Sequence, residues 1–123
     1  MFPVIARWTI LPGRHAEALA ALAELADAVQ QAEPSTWMYT IHTPSTTQQS
    51  LPTPSADEVV FFSVFADADA FQQHLDGPLF GDWSKKYSDL FLTNHGFLFV
   101  LAEYLDRAAG FVRPEMVTVP PGG

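Results

Sequence analysis

Residues 59–83 read VVFFSVFADADAFQQHLDGPLFGDW, and the change of rhythm inside this stretch decides the fold. It opens on Val59, Val60, Phe61, Phe62, Val64 and Phe65, the β-branched and aromatic residues that suit a pleated strand. From Asp67 the spacing turns helical, with Phe71, His74 and Leu75 on one face. Asp67 reads as the N-cap, and Asp69 as a first-turn charge favoured by the helix dipole. Gly77-Pro78 ends that helix. A further helical segment follows over about 78–92, with Leu79, Phe80, Trp83, Tyr87, Leu90 and Phe91 along one side.

Outward from this stretch the pattern repeats. Residues 3–11 (PVIARWTIL) read as a strand broken by Pro12-Gly13. Residues 14–32 form an Ala/Leu-rich helix with Leu19, Leu22, Ala23, Ala26 and Val29 at helical spacing, stopped by Pro34. A second strand is expected over 36–43. Residues 44–57, with three prolines, form a polar loop that is long for a hairpin connection. The last strand is expected over 97–105. The order β-α-β-β-α-β is that of a ferredoxin-like α+β domain with an antiparallel four-stranded sheet. At 123 residues the chain reads as one domain, with its core over 3–105 and a tail over 106–123.

The composition excludes several functions. Six basic against fourteen acidic residues give a net charge of −8, which argues against nucleic acid and anionic membrane as partners. There are no cysteines, hence no disulfide, thiolate metal site or cysteine nucleophile. No apolar run reaches the ~20 residues of a membrane span. Nor is there a basic and then apolar leader pattern, so the expected location is the cytoplasm.

Alternation in a strand normally gives one apolar and one wet face. Here Phe97, Phe99, Leu101 and Leu105 oppose Leu98, Val100, Ala102 and Tyr104, and Val59, Phe61 and Phe65 oppose Val60, Phe62 and Val64. Two or three helices cover one face of such a sheet. The other would be a large exposed apolar patch. The expectation is a homodimer packed sheet to sheet, with the tail reaching toward the partner subunit. Arg7, a charge in an apolar strand, is expected to pair with Glu103.

Phosphate-loop, dinucleotide and nucleophile-elbow patterns are absent. The histidines (His15, His42, His74, His95) have no metal-ligand spacing, and no metal is expected. His74 is the candidate for chemistry: next to apolar Leu75 and three residues after Phe71, it leans toward the sheet, where a neutral imidazole exchanges protons near pH 7. The competing reading is a buried histidine bonded to a strand carbonyl. Trp83 and Tyr87, one turn apart, are expected to form a flat slot with a polar tip, against an ordinary core stripe as the alternative. Trp37 and Tyr39 share a strand face.

The strand ending in Phe65, the acids Asp67 and Asp69, then Ala70-Phe71, His74-Leu75, Pro78 and Phe80 together resemble the core signature of the antibiotic biosynthesis monooxygenase family. The opening VIARWTILPGR resembles its first strand and turn. The resemblance covers about 3–105 and implies a dimeric ferredoxin-like barrel. It also implies oxygenases that use neither metal nor flavin and act on quinols or polyketide anthrones. On that reading no cofactor is needed: an electron-rich enolate or phenolate reduces oxygen directly. The protein holds a flat aromatic substrate, removes a proton and steadies the oxyanion. His74 is then the catalytic residue, and Phe71, Trp83, Tyr87, Tyr39 and Phe65 line the substrate slot. A haem-degrading branch of the family carries a histidine and an asparagine where this chain has Trp83 and Ala6, which argues against haem degradation. The alternatives are a cofactor-free isomerase of a small carbonyl compound and a non-catalytic ligand-binding or stress-related dimer.

Overall fold

The computed structural model describes residues 1–118. The Pro-Pro-Gly-Gly end of the expected tail lies outside them. The elements are β1 (Phe2–Thr9), α1 (His15–Ala32), β2 (Thr36–His42), β3 (Glu58–Phe65), α2 (Ala68–Asp76), α3 (Pro78–Tyr87) with a 3-10 turn at Ser88–Leu90, β4 (Thr93–Asn94), β5 (Phe97–Leu98), β6 (Leu101–Tyr104) and α4 (Glu115–Thr118). The main sheet has the order β2-β3-β1-β6 with antiparallel neighbours. This is the ferredoxin-like α+β arrangement expected from the element order.

Register places the chemistry. Ile41, Phe61, Ala6 and Ala102 lie side by side across the sheet, and Tyr39, Ser63, Val4 and Tyr104 form the next row. Both rows face the helices. Trp8, Val59, Phe61 and Phe91 pack there against Ala18, Ala21, Leu22, Leu25 and Val29 of α1 and Trp83 of α3. Between the rows, the odd-numbered residues of β1 point the other way. His42, Val60, Arg7 and Leu101 form one outer row, and Thr40, Phe62, Ile5 and Glu103 another. Phe62 is 42% and Leu101 56% exposed. Arg7 does pair with Glu103 (2.8 Å), and with Glu58 as well (3.1 Å).

Three details differ from the sequence reading. The buried stripe of α1 is Ala18, Ala21, Leu22, Leu25 and Val29, while Leu19 and Ala23 are exposed. The helix is rolled toward α3 as well as the sheet, and the small Ala18 and Ala21 allow the close approach of Trp83. The strand expected over 97–105 is split. His95 (φ 52°) and Gly96 (φ 82°) form a two-residue turn, the conformation that a tight hairpin requires. It pairs Phe97-Leu98 with Thr93-Asn94, and the chain joins the main sheet only at Leu101. The helix expected to reach residue 92 closes at Tyr87, followed by the 3-10 turn.

The α2–α3 junction is tight. A Cβ on Gly77 would sit 2.9 Å from the Gln73 carbonyl oxygen, so glycine permits the turn, and Pro78 at the first position of α3 suits its fixed φ. That junction sets Phe80 over His74, with ring centroids 5.6 Å apart.

Candidate active site

Between the inner face of the sheet and helices α2 and α3 lies a cavity of about 310 Å³. Its origin is a change of side-chain size along one row: Ala6 and Ala102 are adjacent on β1 and β6, and neither reaches the helices. Trp8, Phe61, Phe65, Phe71 and Phe80 wall the space, and Tyr104 stands beside Phe71 (centroids 5.5 Å). The polar groups on the lining are His74, Ser63, Tyr39 and Tyr104, and no Lys, Arg, Asp or Glu is among the lining residues.

His74 is 5% exposed. Its ring is enclosed by Tyr39 (5.4 Å between centroids), Phe65 (5.3 Å) and Phe80. Nδ1 lies 2.7 Å from Oε1 of Glu33. This contact replaces the strand carbonyl considered from sequence. Glu33 is the C-cap residue of α1, its backbone N–H bonded to the Val29 carbonyl. The Thr36 hydroxyl donates to the same Oε1 (3.1 Å). An acid at a helix C-terminus opposes the dipole, so an unneutralised glutamate just before Pro34 is the one sequence signal that hinted at a partner. α1 has no basic residue in its last turn.

Two further polar groups, Ser63 and Tyr39, have defined settings. The Ser63 hydroxyl donates to the Val4 carbonyl (3.3 Å). Burial, and secondarily the negative Glu33, push the Tyr39 phenol above the usual tyrosine range. It therefore stays protonated and can donate a hydrogen bond to an oxyanion. Asp67 accepts from the Ala70 amide (2.8 Å) as the N-cap and so fixes the start of the helix that carries His74.

Of the residues expected at the slot, the structure brings together His74, Phe71, Tyr39 and Phe65. Trp83 and Tyr87 are elsewhere. Trp83 is 6% exposed within the core and donates its indole N–H to the Ala21 carbonyl (2.8 Å). Tyr87 packs on Trp83 (5.6 Å) and donates its hydroxyl to Glu24 on α1. Both belong to the α1–α3 contact, because α3 turns these residues toward α1 and only Phe80 toward the cavity. Trp37 sits at a bulge in β2 and is 60% exposed, so it does not share the setting of Tyr39. His42 lies on the outer face against Thr40 (2.9 Å), and His95 is in the hairpin turn. Among the described residues no group of three or more His, Cys, Asp or Glu is placed to hold a metal. Nor is any helix among them long and apolar enough to cross a membrane. Glu33 and Ser63 escape the sequence reading, and Ala6, Ala102 and Tyr104 are not marked there as site residues, since strand register and the cap of α1 bring these groups together.

A ferredoxin-like α+β domain with an apolar, histidine-bearing cavity under its helices is the class of protein that these observations define. The model of the antibiotic biosynthesis monooxygenase family matches residues 1–86, and the chain belongs to that family. Solved structures share the fold at low identity. A Caulobacter crescentus protein, provisionally an antibiotic biosynthesis monooxygenase, has a TM-score of 0.69 at 21% identity, covering 88% of this chain and 90% of its own. A Pseudomonas aeruginosa protein gives 0.67 at 20%, covering 88% and 94%. A mutant of SnoaB, a cofactor-independent oxygenase from Streptomyces nogalater, gives 0.66 at 17%, covering 91% and 97%. No curated protein matches the chain significantly.

Proposed function

We propose that this protein is a cofactor-independent monooxygenase acting on an uncharged, flat aromatic substrate of quinol or anthrone type. The observation that carries the reading is a buried imidazole, braced by a carboxylate, on the wall of an otherwise apolar cavity of about 310 Å³. A space of that size suits a ligand of two or three fused rings. The absence of any cationic lining residue disfavours a carboxylated substrate, whose charge would be desolvated without a partner.

For an anthrone the steps balance as follows. His74 takes a proton from the acidic methylene, leaving an electron-rich carbanion whose charge rests largely on the ring oxygen. The Tyr39 and Tyr104 hydroxyls are the donors available to that oxygen, since the Ser63 proton is already given to the Val4 carbonyl. The carbanion gives one electron to O2, and the resulting radical pair combines to a peroxide. The proton held by His74 returns to it, and the hydroperoxide loses water to leave a ketone. The sum is one methylene and one O2 to one carbonyl and one water, with no outside reductant.

SnoaB, named as a cofactor-independent oxygenase, supports the class of chemistry. The exposed Phe62 and Leu101 on the outer face support a homodimer packed sheet to sheet. Oxygen uptake with a panel of anthrones and menadiol tests the reading. Uptake matched one to one by product is expected, and His74→Ala should lower the rate by about 100- to 10,000-fold, the usual contribution of a general base. An unchanged rate in that variant would remove His74 from the mechanism. No turnover across the panel would favour a binding role, and turnover without oxygen an isomerase.

A further inference from the structure

We propose that Glu33 is a positioning residue that holds His74 as the Nδ1–H tautomer, so that Nε2 is the bare nitrogen facing the cavity. The same carboxylate partners the imidazolium after it has taken a proton. The proposal deepens the reading of His74 as proton acceptor and rests on it.

The geometry carries the inference. An ionised carboxylate only accepts hydrogen bonds, so the 2.7 Å contact with Oε1 requires that Nδ1 bear the proton. Glu33 is not on the cavity lining; it lines a separate groove, while His74 borders both spaces. The imidazole therefore forms part of the wall between them, with Nδ1 on the groove side. Among the described residues Nε2 has no hydrogen-bond partner. Among the described residues no fully buried side-chain nitrogen or oxygen lacks a partner, so Nε2 opens onto space, and the cavity is the space on its side.

Glu33 is fixed for this task at both ends. Its backbone caps α1, and the Thr36 hydroxyl bonds the oxygen that holds His74. The pair joins the end of α1 to the last turn of α2, across 41 residues of sequence. A histidine in the opposite tautomer would present an N–H to the substrate and could not accept its proton.

The test uses the full chain with 15N-labelled histidine, the His74 signals being those lost in His74→Gln. At about pH 8, above the ordinary histidine range, the expected result is a pyrrole-type Nδ1 and a pyridine-type Nε2. Glu33→Ala should shift the population toward Nε2–H. A pyridine-type Nδ1 in the wild type would overturn the proposal, and that measurement stands even if Glu33→Ala fails to fold. The second variant is Glu33→Gln, which keeps the length and an accepting oxygen but removes the charge. Its kcat should fall about tenfold or more, a fraction of the general-base contribution, with KM within about twofold. An unchanged kcat would overturn the charge-partner role. Because the NMR result needs no turnover, failure of the tautomer assignment and failure of the oxygenase reading remain separate.

Discussion

On the inner face of the sheet, Trp8, Phe61 and Phe65 lie under three helices around one polar pair, His74 and Glu33. On the outer face, Ile5, Val60 and Phe62 surround the ion pairs of Arg7 with Glu58 and Glu103, and no helix covers them. The two faces alternate along the same strands, and the difference lies in what each leaves unfilled. The inner face leaves a shaped cavity where Ala6 meets Ala102. The outer face mixes Ile5, Val60, Phe62 and Leu101 with Arg7, Glu103, Thr40 and His42, and the proposed homodimer would cover it. The Arg7 pairs are partly exposed in the single chain and stabilise it by about 1 kcal/mol or less. Under a second copy they would be desolvated, and their geometry would then restrict how two sheets can align.

Substitutions on each face separate these roles. Ala6→Phe fills the cavity from its floor. It should lower kcat/KM by about 100-fold, the scale of a misplaced substrate, while leaving oligomeric state unchanged in sedimentation. A variant with full activity would show that the cavity is not the substrate site. Phe62→Glu places a charge on the outer face. It should convert a dimer to a monomer by size-exclusion chromatography, and a wild-type protein already eluting as a monomer would end the two-face comparison.

Trp83→Phe should act on stability alone. It loses the indole bond to the Ala21 carbonyl, costing about 1–2 kcal/mol in denaturant unfolding, with activity retained. A large loss of kcat without a loss of stability would return Trp83 to the substrate slot. Tyr39 gives the smallest effect. Its phenol is held above the normal tyrosine range by burial and by Glu33. The sign follows from linkage: the folded chain keeps a proton that the unfolded chain gives up, so stability is intact below the unfolded value and declines as pH rises above about 10. A phenolate absorbance titration should show one of the three tyrosines ionising late, and Tyr39→Phe should remove that step. Three tyrosines ionising together would contradict it.

The fold was legible because its signals are local. The switch from the Val59–Phe65 alternation to the helical spacing after Asp67, the Gly77-Pro78 break and the element order sufficed for topology, and His74 was found on the same stretch. Hydrophobic continuity over 97–105 masks in the sequence the split that the His95-Gly96 hairpin makes. Part of the candidate cavity's lining was legible. Phe65, Phe71 and His74 lie within ten residues of one another, and Tyr39 was a strand aromatic of undetermined face. Ser63 and Tyr104 reach the cavity through register, and Glu33 reaches His74 from the cap of α1, which no window of sequence displays. Trp83 and Tyr87 misled because a helix stripe shows which residues share a side, not whether that side meets a sheet, another helix or a void.

The most direct measurement is to mix the protein with an anthrone under strict exclusion of oxygen and record its visible spectrum. Wild type should develop the band of the bound anthrone anion, His74→Ala should not, and admitting oxygen should discharge the band as the ketone forms. No anion in the wild type, or the same anion in His74→Ala, would contradict proton removal by His74 in this cavity.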